Sequence, residues 1–170
     1  MAIWYHHCPK YSNVQIDLKK FLMDVSEIES FVGVVFGSEV MDDILASVSN
    51  CTVNLVMSTT NDILTGATHD FKSIMTPALN FLPNLVHEIF RAVAENSLPE
   101  ARELQKNLTD VYEILSHHGN HVSASKAAMN ILTKVNVGQV RRPLVEIWKK
   151  QVEQMQNELK VLGIYCGKNK

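Results

Sequence analysis

Phe31-Val32-Gly33-Val34-Val35-Phe36 is an unbroken run of β-branched and aromatic residues around a single glycine. A run with no polar residue to turn towards water is the composition of a strand covered on both faces, as strands of parallel sheets are. The flanking segments extend the pattern. Upstream, Ile3-Trp4-Tyr5 reads as a short strand stopped by Pro9, which has no N–H to give to a ladder. Between the two, Leu18, Phe21, Leu22 and Val25 recur at the spacing of one helical face. Downstream, Ser38 is a good N-cap for a helix with Val40, Ile44, Leu45 and Val48 on its inner face. Val53 to Met57 then reads as a third strand, residues 61–67 as a short helix, and Ser73 to Thr76 as a weaker fourth strand. Strands alternating with helices predict an α/β fold with a parallel sheet. Such a sheet has two edges, and nothing later in the chain reads as a strand to cover them. Half of a larger β/α structure has this look.

The second half is helical. Leu85, Val86, Ile89, Phe90 and Val93 form one helical face after Pro83, and Leu104, Leu108, Val111, Tyr112 and Leu115 another after Pro99. Residues 126–132 read as a third helix, and a long fourth after Pro143 carries Leu144, Ile147, Trp148, Met155, Leu159 and Leu162. No linker or repeat divides the 170 residues, so a single domain over 1–170 is expected. Sixteen basic residues against eighteen acidic ones leave a net charge of −2, which argues against the clustered positive charge of a nucleic-acid or membrane surface. No apolar run is long enough to span a bilayer. Cys8, Cys51 and Cys166 are odd in number and widely spaced, as reduced thiols are. The first residues lack the layout of a signal peptide, so a cytoplasmic protein is expected.

Short motifs follow one another in a fixed order. They are Tyr5-His6-His7-Cys8-Pro9, Phe31 to Phe36, Thr65-Gly66-Ala67-Thr68, Asn80, Val122-Ser123-x-Ser125-Lys126-x-x-Met129 and Arg142-Pro143-Leu144. In this order and spacing they resemble the C-terminal half of N-acetylneuraminate lyase, a sialic acid aldolase grouped with dihydrodipicolinate synthase. The resemblance covers nearly the whole chain. It implies a partial TIM (β/α)8 barrel, strands five to eight with extra C-terminal helices, from a family that usually assembles as tetramers. The family cleaves N-acetylneuraminate to N-acetylmannosamine and pyruvate, with no cofactor or metal. A lysine amine forms an imine with the ketone and serves as electron sink, a tyrosine moves the proton, and both sit at the C-terminal ends of barrel strands.

Aligned at Pro9 without gaps, the family's chemical positions are occupied by other residues. The tyrosine falls on His6, and the Schiff-base lysine of the family's Gly-Leu-Lys-Phe strand falls on Val35, which has no nitrogen. Tyr5 is expected to face the other side of its strand. Lys19, Lys20 and Lys72 are the nearest lysines, in a helix and a loop. The hydroxyl position two residues after the lysine is Gly37. The Gly-x-Asp-Glu motif for the sugar falls on Ser58-Thr59-Thr60-Asn61, and a later serine on Pro77. The family's Gly-Thr-Thr carboxylate loop belongs to the half outside this match. The resemblance thus implies an N-acetylneuraminate lyase-like protein impaired in its covalent step. The alternative is a non-catalytic interaction or regulatory protein on the same scaffold.

Other features have plain structural readings. His117, His118 and His121 could supply two metal ligands, but histidines also suit a helix C-terminus before Gly119. The sequons at Asn50 and Asn107 read as chance matches, Lys149-Lys150 as a solvated helix face, and Cys8 as a buried thiol. Exposed sheet edges predict a homo-oligomer or pairing with a complementary barrel half.

Overall fold

The structure is a computed structural model that describes residues 1–47, 53–69, 71 and 73–164. The strands are β1 (Ile3–His7), β2 (Phe31–Gly37), β3 (Asn54–Ser58) and β4 (Ile74–Met75). They form one sheet in the order β1-β2-β3-β4, every neighbouring pair parallel. The expected strands and their α/β arrangement are therefore present. Val48, Cys51, Lys72 and Cys166, and the sequon at Asn50, lie outside the described residues.

Residue contacts divide the chain into two compact units, Met1–Thr60 with Thr65–Thr76, and Asn61–Leu64 with Pro77–Lys170. In the first unit the strands are joined through α1 (Pro9–Ser12), α2 (Leu18–Val25), α3 (Met41–Ser47) and α4 (Ile63–Thr68), the last shared with the second unit. The core is one cluster in which Leu18 and Leu22 of α2 and Ile44 of α3 meet Val34 and Phe36 of β2 and Met57 of β3. Asp17 opens α2, its Oδ1 accepting from the Lys20 N–H at 3.0 Å.

Ser38 does not cap α3. It starts a 3-10 turn, Ser38–Val40, that leads into the helix, and the N-cap of that turn is Gly37, which has no side chain to cap with. Leu45, expected inside, is exposed, whereas Ile44 is fully buried. With seven residues, α3 can turn only one narrow stripe inward.

The second unit is helical, with α5 (Ala78–Phe81), α6 (Pro83–Ala94), α7 (Leu98–His118), α8 (His121–Leu132) and α9 (Lys149–Val161). Pro83 and Pro99 sit in first turns, where a missing N–H costs no bond. Two boundaries differ from the sequence reading. The helix expected from residue 126 begins at His121, because the Asn120 Oδ1 accepts from the Val122 N–H at 3.0 Å. The last helix begins at Lys149, not after Pro143. Between them the chain is held by other bonds: the Ser123 hydroxyl donates to the Val145 carbonyl at 2.7 Å, and the Glu146 carboxylate accepts from the Val140 N–H at 3.0 Å. Trp148, expected on the inner face, is 76% exposed.

Candidate functional site

Alternation along the strands gives the sheet two chemically different faces. Tyr5 and His7, Val34 and Phe36, and Met57 face the helices; His7, Val34, Phe36 and Met57 are buried there, and Tyr5 packs on Phe21. The residues between them, His6, Val35 and Val56, therefore lie on the opposite face. The parallel register aligns them, His6 with Val35 and Val35 with Val56. Val35 thus stands away from the helical core, beside His6. On the same face Trp4 lies against Gly33, where a Cβ would meet the indole ring and the Asn54 carbonyl oxygen, the latter at 2.5 Å.

At the C-terminal ends of the strands, Gly37 pairs with Ser58 and Ser58 with Met75. Ser58 is half-buried and Thr60 exposed, and the Thr76 hydroxyl donates to the Thr60 carbonyl at 3.1 Å. Asn61 and Pro77 belong to the second unit, where the Asn61 carbonyl accepts from Gln105 Nε2 of α7 and Pro77 immediately precedes α5. Lys19 and Lys20 are exposed on α2, which packs on the helix-side face, so neither shares a face with Val35. On that face Val35 offers no nucleophile.

His7 is the histidine the sequence reading passed over. His7 is buried, with Nδ1 3.2 Å from the Tyr5 hydroxyl. Loss of solvation lowers its pKa, opposed by the Glu39 carboxylate and assisted by His6. Burial, together with the Cys8 thiol, raises that of Tyr5. His7 lines a cavity of about 370 Å3 on the helix side, with Asp17, Asp43 and Ser47. The signal lay in the alternation itself: two residues beyond Tyr5, His7 must share the face of Val34 and Phe36.

The histidines of residues 117–121 do not converge. His118 is buried with Nε2 2.8 Å from Glu158 Oε2 of α9, His121 stacks on Tyr112 with ring centres 6.3 Å apart, and His117 is exposed. Among the described residues no three His, Cys, Asp or Glu side chains are grouped as metal ligands. Nor is any described helix long and apolar enough to cross a membrane. Cys8 is a free thiol, half-buried rather than buried as expected.

Solved structures with a similar fold include a lyase and aldolases. A Proteus mirabilis N-acetylneuraminate lyase superposes with a TM-score of 0.85 at 21% identity, covering 96% of this chain and 55% of its own. A Sulfolobus 2-keto-3-deoxygluconate aldolase gives 0.82 at 18% identity, covering 95% and 54%. Among curated proteins, a 4-hydroxy-tetrahydrodipicolinate synthase of Archaeoglobus fulgidus is 29% identical over 93 residues, 55% of this chain and 32% of that enzyme. One from Thermoanaerobacter is 30% identical over 91 residues, 54% of this chain and 30% of that enzyme. The chain spans about a third of these curated relatives and just over half of the solved ones. The profile of the dihydrodipicolinate synthetase family matches residues 2–162, nearly the whole chain. By that match, and with the parallel β/α sheet it requires in place, this chain belongs to the dihydrodipicolinate synthetase family.

Proposed function

We propose that the chain is an N-acetylneuraminate lyase-like protein: strands five to eight and the C-terminal helices of a (β/α)8 barrel, forming one domain over residues 1–170 and lacking the imine step. One observation carries the reading. His6 and Val35, which the resemblance aligns with the family's tyrosine and lysine, stand side by side on the sheet face away from the helices. A valine there cannot condense with a ketone, and none of the nearby lysines on α2 shares its face. By the resemblance, Gly37, Ser58, Thr60, Asn61 and Pro77 replace the family's sugar ligands in the sequence. Without a carboxylate among them, they leave a polyol few strong partners.

The alternative, a non-catalytic interaction or regulatory protein on this scaffold, is favoured by the exposure of Trp4 and Met75 on the same face. The partner would be a second copy or a complementary barrel half. With its thiols reduced, the protein would work in the cytoplasm.

Incubation with pyruvate and borohydride separates lyase chemistry from its absence. Reduction of an imine leaves a stable covalent adduct, visible as a mass increase of the intact chain. The expected result is no adduct; a stoichiometric adduct mapped to any lysine would overturn the proposal.

A further inference from the structure

The second unit holds a cavity of about 390 Å3 against α8 and the loop that follows it. Its apolar wall is made by Phe81 of α5, Val122 and Met129 of α8, and Val137 of the loop. Phe81 is buried and forms the floor, whereas Val122 is 44% exposed and forms a lip. The polar lining is Asn80, His121, Ser125 and Lys126, and no carboxylate lies among the described lining residues. A pocket of this size, mostly apolar with a few convergent polar groups, has the build of a small-molecule site.

Two of those groups have bonding capacity left over. The Ser125 Oγ is buried and has no hydrogen-bond partner among the described residues. Leaving a buried hydroxyl unpaired is costly, and such a group calls for an explanation in the missing partner. Lys126 Nζ donates to the carbonyls of Gln139 at 2.6 Å and Val137 at 3.2 Å. An ammonium has three N–H bonds, so one remains beyond these two. The loop wall is already fixed: the Asn130 Oδ1 accepts from the Val137 N–H at 3.0 Å, and the Asn136 Oδ1 from the Gly138 N–H at 3.0 Å. A ligand would find the wall formed and would not have to order it.

A cationic lining, an orphan hydroxyl and apolar walls together describe a ligand with one negative end and one apolar end. We propose that this cavity binds a small organic monocarboxylate with an aryl or alkyl body. Its carboxylate accepts from the Ser125 hydroxyl and from the third N–H of Lys126, while its body lies on Phe81, Val122 and Met129. Of the positions matched to family sugar ligands, Pro77 borders the cavity; His6 and Val35 do not. The site needs no imine, so it stands or falls separately from the lyase reading.

The test is calorimetric titration of the full chain with 3-phenylpropionate, which has no ketone, alongside 3-phenylpropionamide. Saturable binding is expected, with the carboxylate at least about tenfold tighter than the neutral amide. Ser125→Ala should weaken binding by about tenfold, the cost of a hydrogen bond to a charged group. Val122→Asp, at an exposed helix position and with its melting transition checked, should weaken it further by setting a like charge at the mouth. If Ser125→Ala fails to fold, Val122→Asp decides. Absence of saturable binding at about 5 mM, equal affinity for the amide, or unchanged binding in Val122→Asp would overturn the site.

Discussion

At the scale of single residues, the sheet depends on which side chains the strands turn to which face. Gly33 shows the constraint most directly, because any side chain there collides with the Trp4 ring and lies 2.5 Å from the Asn54 carbonyl. The ring can swing aside, but the carbonyl belongs to the neighbouring strand and cannot. Gly33→Ala should therefore destabilise by about 1–3 kcal/mol, seen as a lower denaturant midpoint; an unchanged midpoint would mean β3 can yield. His7 makes a prediction in pH. Its folded pKa lies below the ordinary 6.5, with burial the main cause. Between 6.5 and that lowered value the unfolded chain binds the proton and the folded chain resists it. The contribution is therefore intact above 6.5 and declines as pH falls through that window. Urea midpoints at pH 7.5 and 5.5 should differ more for the native chain than for His7→Gln; equal differences would remove His7 from the account. The placement of Val35 opposite Val34 was legible in the sequence, because strand alternation alone sets it. The burial of His7 follows from the same rule, whereas His6 is singled out only by its counterpart in the family.

Among elements, the strands and most helices follow from local signals: apolar runs for the strands, prolines and apolar stripes for α6 and α7. The junctions did not, because long-range hydrogen bonds set them. The clearest case lies between α8 and α9. Periodicity runs on through Leu144 and Ile147, and nothing local forbids a helix there. The carbonyl of Val145 is instead taken by the Ser123 hydroxyl, twenty-two residues away in sequence. Ser123 is buried, so Ser123→Ala would leave that carbonyl short of a partner. The expected loss is about 1–2 kcal/mol of stability, with faster amide exchange over residues 140–148 than over α7. Uniform exchange across the second unit would assign the cost to packing. His118 and Glu158 make the same point, since forty residues separate two groups that meet at 2.8 Å. No spacing rule connects them, so the partner of His118 is not legible in the sequence.

On the scale of the first unit, helices among the described residues pack on one face of the four-stranded sheet. Helices α2 and α3 cover one face; the other presents Trp4 and Met75, each 46% exposed. Among the described residues, the outer edges of β1 and β4 pair with no further strand. Unpaired edges beside apolar surface favour association with matching edges. All four strands run the same way, so a twofold axis along them would set β4 of one copy beside β1 of its partner at both seams. With only two residues in β4 the seam is short, and contact between the open faces must contribute most of the attraction. The chain alone should therefore scatter light as a dimer or larger at about 10 μM, a concentration at which standard-size interfaces persist. Met75→Lys places a charge on the open face where the native side chain is already half exposed, so folding should be little affected and association should weaken by about tenfold or more. A monodisperse monomer of the native chain would count against this surface as a place of self-association. An assembly indifferent to Met75→Lys would move the contact elsewhere on the molecule.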